Sequence, residues 1–146
     1  MELISPFQYL LVYNAFSFTF ATMAAATLFL WLGRSQVSDN YKTAVTISGL
    51  VCAIAAYHYW RIFESWEAAY MFENGVLTAT GYAFNDAYRY VDWLLTVPLM
   101  CVEFYLITKK AGAKTSLLWK LIFASVVMLV TGYFGESVDR GNSVMW

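Results

Sequence analysis

Two acidic side chains stand out in this 146-residue chain because of where they fall. The run Arg89-Tyr90-Val91-Asp92-Trp93-Leu94-Leu95-Thr96-Val97-Pro98-Leu99-Met100-Cys101-Val102-Glu103 sets two carboxylates in an otherwise apolar segment long enough to cross a bilayer. A carboxylate at bilayer depth costs roughly 2.5–3.5 kcal/mol on insertion scales, so chains keep such groups mainly where ions or protons move. Eleven residues at ~100° each return Glu103 to within about 20° of Asp92, roughly 16 Å further along a helix axis. One helix face then carries two titratable groups at different depths, the minimum equipment for a proton relay. Arg89 and Thr96 share that stripe. A buried carboxylate must be protonated or paired, and Arg89, one turn outward, is the nearest built-in cation. Thr96 can donate its hydroxyl to Asp92 across one turn. The bland alternative is that Asp92 and Glu103 only make interhelical hydrogen bonds.

His58, the single histidine, sits at the outer end of another apolar segment, at the depth expected for Asp92. Beside Tyr57, Tyr59 and Trp60 it reads as part of an interfacial aromatic belt. Facing an intramembrane aspartate, it would instead form a coupled pair whose protons belong to both groups. Trp93, Met100, Met128 and Gly132 are, by residue type alone, packing positions on membrane helices.

The elements that must position these groups are transmembrane helices. The chain is 60% apolar and only 13% charged, where a soluble domain is about a quarter charged, and its mean hydropathy is +0.54. Four segments, about 7–32, 43–60, 87–107 and 117–134, each meet the ~20-residue requirement for a span. The expected fold is an all-α membrane protein. Pro98 interrupts the ladder of the third helix and would kink it. Arg34 and Lys42 lie between spans one and two, and Lys109, Lys110 and Lys114 between spans three and four, with Lys120 just beyond. The opposite side holds Arg61 and Arg140 among Glu64, Glu67, Glu73, Asp86, Glu136 and Asp139. The positive-inside rule therefore puts the N-terminus outside, Asp92 toward the outer face and Glu103 toward the cytoplasm.

Between spans two and three, Asn74-Gly75 separates two runs of β-type residues, a strong hairpin signal. A short external β-hairpin is expected there. Asn85 or Asp86 would cap span three, and Thr115 or Ser116 span four. Cys52 and Cys101 lie in apolar runs without metal-like spacing and read as buried free thiols; no metal site is expected. A net charge of −1 excludes nucleic acid as a partner. The N-terminus lacks a basic region followed by a short apolar core and a cleavage site, so a cleaved signal peptide is not expected.

The run from Arg89 to Leu99 followed by Glu103 resembles the third helix of microbial retinal-binding rhodopsins. More narrowly it is similar to the eubacterial light-driven proton pumps, proteorhodopsin and xanthorhodopsin, whose signature is Asp, Thr and Glu at relative positions zero, four and eleven. Tyr57-His58-Tyr59 resembles the family's second helix, and Met128-Leu129-Val130-Thr131-Gly132-Tyr133-Phe134-Gly135-Glu136 its fourth. The long loop between His58 and Asp92 points to the xanthorhodopsin-like branch. The resemblance implies a seven-helix bundle of which this chain holds helices one to four. It further implies all-trans retinal as cofactor, with an accessory carotenoid as an option. Asp92 would be counter-ion and proton acceptor for a protonated Schiff base, His58 its partner, Glu103 the cytoplasmic proton donor and Arg89 the outward gate. Trp93, Thr96 and Met100 would line the polyene, with Met128 and Gly132 near its ring.

In that family the retinal is held by a lysine on the seventh helix. The lysines here (Lys42, Lys109, Lys110, Lys114 and Lys120) fall in loops or at a span's edge, where none can reach a site beside Asp92. Four helices would also leave the proton-path face of span three open to lipid. The expectation is an N-terminal rhodopsin portion, residues 1–146, that needs helices five to seven as a partner. Its implied setting is the bacterial inner membrane, as a trimer or pentamer, and its implied activity is outward proton pumping by a transporter rather than an enzyme. A photosensory rhodopsin signalling through a partner shares this fold, although a sensor has less need of Glu103. A small structural or passive proton-path membrane protein is the third reading.

Overall fold

Residues 4–73, 76–85 and 87–139 are described in this computed structural model, the side chains of 73 and 137–139 excepted. Helix α1 spans Pro6–Gly33. It starts in a reciprocal cap: Gln8 N–H donates to Ser5 Oγ at 3.2 Å, and Ser5 N–H to Gln8 Oε1 at 2.9 Å. Pro6 occupies the first turn, where a missing N–H removes no helical bond. Helix α2 spans Lys42–Ala69, about 42 Å at 1.5 Å per residue.

The apolar stretch gives out near Trp60, yet α2 continues through Ala69. Charge ends the membrane-compatible segment without ending the helix. Arg61 donates to Glu64 Oε2 one turn on at 2.7 Å and to the Tyr88 hydroxyl at 3.1 Å. Further out, Trp66 packs on Tyr9 of α1, on Tyr70 and on Phe84, with ring centroids 5.9, 4.8 and 5.6 Å away. These contacts supply the burial that a polar helical extension would lack.

The chain then turns extended at Tyr70 and forms strands β1 (Tyr70–Glu73) and β2 (Val76–Ala79). They pair antiparallel, Tyr70 opposite Ala79 and Glu73 opposite Val76, the hairpin that the sequence led us to expect. Its Asn74-Gly75 turn lies outside the described residues. Thr80 ties the hairpin to α2: its N–H donates to Ala69 O at 3.0 Å and its hydroxyl to Ala68 O at 2.5 Å.

Helix α3 runs Ala87–Thr108, continuous through Pro98. Asn85 Oδ1 accepts from Ala87 N–H at 3.1 Å; the alternative cap, Asp86, lies outside the described residues. A 3-10 turn over Lys109–Ala111 closes at Gly112, whose φ of 97° is left-handed and suits a residue without Cβ. Helix α4 spans Thr115–Asp139. Thr115, expected as its cap, instead meets the Tyr105 hydroxyl at 3.0 Å, while the first turn is set by Leu117 N–H donating to Lys114 O at 2.9 Å.

All four helices are long and apolar enough to cross a membrane, and each packs antiparallel on the next. Tyr9 meets Trp66 and Trp31 meets Thr46, His58 meets Asp92, and Tyr90 meets Tyr133. Helix α2 is central. Its inward positions are small, with Ala44, Gly49, Ala55 and Ala56 all buried, which lets neighbouring backbones approach as membrane helices require. Large apolar side chains such as Phe7, Phe18, Phe29 and Phe123 point outward, as suits acyl chains. Cys52 and Cys101 are unbridged but half-buried rather than buried.

Thr80 generates a local prediction. Thr80→Val removes one hydroxyl bond to α2, so amide protection across 70–79 should fall by about tenfold, the effect of roughly one hydrogen bond. The helical amides should keep theirs in the same hydrogen-exchange experiment.

Candidate functional site

On α3, Asp92 and Thr96 are the two buried residues, and both face α2. The expectation that four helices would expose this face to lipid is therefore corrected. The small side chains of α2 bring its backbone close enough to cover Asp92, which is 7% exposed, and His58, which is 6% exposed.

His58 Nδ1 lies 3.4 Å from Asp92 Oδ1 and 3.0 Å from the Ile54 carbonyl oxygen. A carbonyl only accepts, so that contact requires the proton on Nδ1. The imidazole N–H is thus given to its own helix, and Asp92 lies beside it at ion-pair distance without accepting it. Asp92 Oδ1 is buried without a hydrogen-bond partner among the described residues. His58 is thus buried against α3 beside Asp92, not turned outward with Tyr57.

Thr96 behaves differently from expectation. Its hydroxyl donates at 2.9 Å to the main-chain carbonyl of Asp92, not to the carboxylate, because in a helix a threonine hydroxyl readily reaches the carbonyl four residues back. Arg89 also turns away from the stripe: its guanidinium lies 3.8 Å from Glu136 Oε1 on α4. Both are near the membrane–water boundary and each is about two-fifths exposed.

Glu103 meets a residue that the sequence did not single out. Ser48 Oγ is 2.5 Å from Glu103 Oε1 and 3.1 Å from the Ala44 carbonyl oxygen. A serine has one proton to give and lone pairs to receive. When Glu103 carries a proton, it can donate to Ser48 while Ser48 donates to Ala44; when Glu103 is ionised, the Ser48 hydroxyl can swing to the carboxylate. One hydroxyl serves both protonation states. Its only sequence signal was helical spacing: Ser48 lies ten residues before His58 on α2, as Glu103 lies eleven after Asp92 on the antiparallel α3.

Between α3 and α4 lies a cavity of about 420 Å³, lined by Tyr90, Trp93, Val97, Met128, Leu129 and Gly132. Three of the expected chromophore-lining residues, Trp93, Met128 and Gly132, are thus brought together. A Cβ on Gly132 would meet the Tyr90 ring at 3.6 Å, an ordinary contact. Met100 is exposed and outside this lining, and Thr96 is turned to α2.

The sequence and the four-helix fold both have known relatives. The bacteriorhodopsin-like protein family matches residues 12–146. The green-light absorbing proteorhodopsin of Gamma-proteobacterium EBAC31A08 is 44% identical over 128 residues, 86% of this chain and 47% of that protein. The crystal structure of xanthorhodopsin, a light-driven ion pump with dual chromophore, superposes with a TM-score of 0.84 at 50% identity, covering 92% of this chain and 54% of that one. The blue light-absorbing proteorhodopsin from Med12 superposes with a TM-score of 0.69 at 36% identity, covering 86% of this chain and 54% of that one. The chain belongs to the bacteriorhodopsin-like family, and its four helices make it a multi-pass membrane protein. It spans about half the length of the curated relatives it matches.

The Arg89–Glu136 pair is partly hydrated, so its coupling should be small. A double-mutant cycle of Arg89→Gln and Glu136→Gln, read by thermal unfolding in detergent, should give less than about 1 kcal/mol.

Proposed function

We propose that this chain is the N-terminal portion of an outward light-driven proton pump that binds all-trans retinal and works with helices five to seven. The observation carrying this reading is that α2 gives a separate polar partner to each carboxylate of α3. His58 stands against Asp92 at one depth and Ser48 against Glu103 at another. A structural role would need one such contact; two acids on one face, one beside an imidazole and one beside a hydroxyl that can give or receive, suit a relay.

The residues present fit retinal as far as they go. The unpartnered, buried Asp92 oxygen suits a cationic group beside it, and the apolar cavity bounded by Trp93, Met128 and Gly132 suits a polyene and its ring. Retinal held as a protonated imine supplies the light-absorbing group and the proton. Its lysine would come from the partner portion, because Lys109, the nearest lysine along α3, is about 25 Å up the axis from Asp92. Asp92 accepts the proton, with His58 adjusting to the loss of the carboxylate charge. Arg89, leaning to Glu136, opens the outward side. Glu103 returns a proton from the cytoplasmic side, and the Ser48 hydroxyl turns to the carboxylate left behind. This orientation sets the N-terminus outside a bacterial inner membrane and makes the protein a transporter rather than an enzyme.

The test joins the chain to a C-terminal portion carrying helices five to seven, with retinal. Illuminated vesicles or cells should acidify the medium, and Asp92→Asn should reduce that signal to background. Continued pumping by Asp92→Asn would refute the acceptor role. Glu103→Gln should slow the late recovery of the photocycle by at least about tenfold, the low end of what a positioned proton donor contributes.

A further inference from the structure

Helix α2 meets α1 and α3 within a single turn, and the α1 contact has no place in the relay described so far. Trp31, near the cytoplasmic end of α1, donates its indole N–H to the Thr46 carbonyl oxygen of α2 at 3.2 Å. Indoles near a membrane boundary commonly turn the N–H toward water; this one turns inward to a neighbouring helix. Gly49 makes the approach possible. A Cβ there would fall 2.2 Å from Trp31 Nε1 and 2.4 Å from Cδ1, so any side chain would push the indole away. Between Thr46 and Gly49 lies Ser48, whose hydroxyl is 2.5 Å from Glu103.

We infer that Trp31 is a positioning residue for Glu103, acting through α2; this rests on the pump reading above. The indole fixes the α2 backbone around Thr46–Gly49 on α1, and so fixes Ser48 against the carboxyl of Glu103. An O–H···O contact of this length tolerates little displacement, and misplacing a reacting group by about 1 Å can cost of the order of 10²-fold in rate. His58 and Asp92, ten residues and more away on the same two helices, are held by their own contacts. The effect of Trp31 should therefore appear in proton return and not in the first transfer.

The experiment uses the completed, retinal-loaded protein and three substitutions: Trp31→Phe, which keeps a ring and removes the N–H, Gly49→Ala, and Glu103→Gln as reference. Flash photolysis gives the late recovery time, and light-minus-dark infrared spectra give the carboxylic C=O stretch that Glu103→Gln abolishes. Trp31→Phe and Gly49→Ala should each slow late recovery by about fivefold, roughly one hydrogen bond's worth. Both should also shift that C=O band while leaving the visible maximum and the first proton transfer as in the parent. A merely structural role would lower yield or thermal stability without moving the band. If Trp31→Phe fails to accumulate, Trp31→Tyr read on the same two observables takes its place. An active parent whose variants keep both the recovery time and the band overturns this inference alone. A parent without a visible band or light-driven acidification overturns the pump reading and this inference together.

Discussion

A carboxyl group in the apolar depth of a membrane is tolerated only if something polar answers it, and in this protein the answer comes from one neighbouring helix. Helix α2 carries His58 and Ser48 at a separation that matches, in antiparallel register, the separation of Asp92 and Glu103 on α3. Much else follows from that match. It requires the two helices to lie close, hence the buried alanines on α2. It requires α2 to keep its height, hence the interlocking of Trp31 with Gly49 at one end and the packing of Tyr9 on Trp66 at the other. The polar contacts would be lost by a slide of one turn, about 5.4 Å.

The two acids are answered in different ways, and the difference suits different tasks. Ser48 can give or receive, so Glu103 has a good partner whether or not it carries a proton. His58 already spends its Nδ1 proton on Ile54 and reaches Asp92 only at longer range. One carboxylate oxygen is left without a hydrogen-bond partner among the described residues, and a group in that condition gains from a proton or from a cation brought beside it. The two acids therefore differ in surroundings: one beside a hydroxyl that can serve both protonation states, the other beside an imidazole whose N–H is given to its own helix.

Much of this was legible in the sequence. The charge-poor segments gave the four helices, and the eleven-residue interval put Asp92 and Glu103 on one face before any coordinates. The hairpin followed from Asn74-Gly75 between β-type runs. What escaped had physical reasons. The end of α2 was drawn at Trp60 because hydropathy reports where the membrane stops, not where the helix does. Ser48 was invisible because a serine in an apolar helix usually bonds its own backbone, as Ser48 also does to Ala44, and its second partner exists only across the fold. Arg89 and Thr96 were set on the right helix, but helical angle alone could not tell an α2-facing from an α4-facing side chain. Gly49 carried no signal, since its role depends on an indole eighteen positions earlier.

The cavity beside α4 adds the last constraint. Its walls, Trp93 and Val97 on α3 and Met128 and Gly132 on α4, are apolar, whereas the unsatisfied Asp92 oxygen lies toward α2. In the proposed reading the apolar body of retinal would take the cavity and its cationic end would stand beside Asp92. The chain's own lysines cannot supply that end: they cluster where α2 begins, where α3 ends and where α4 begins, on the side of Glu103. The proposed tether to Asp92 would therefore come from the partner portion. In that reading a helical layer on the open faces of α3 and α4 would also cover Met100, Met128 and Trp93, which α1 to α4 leave exposed.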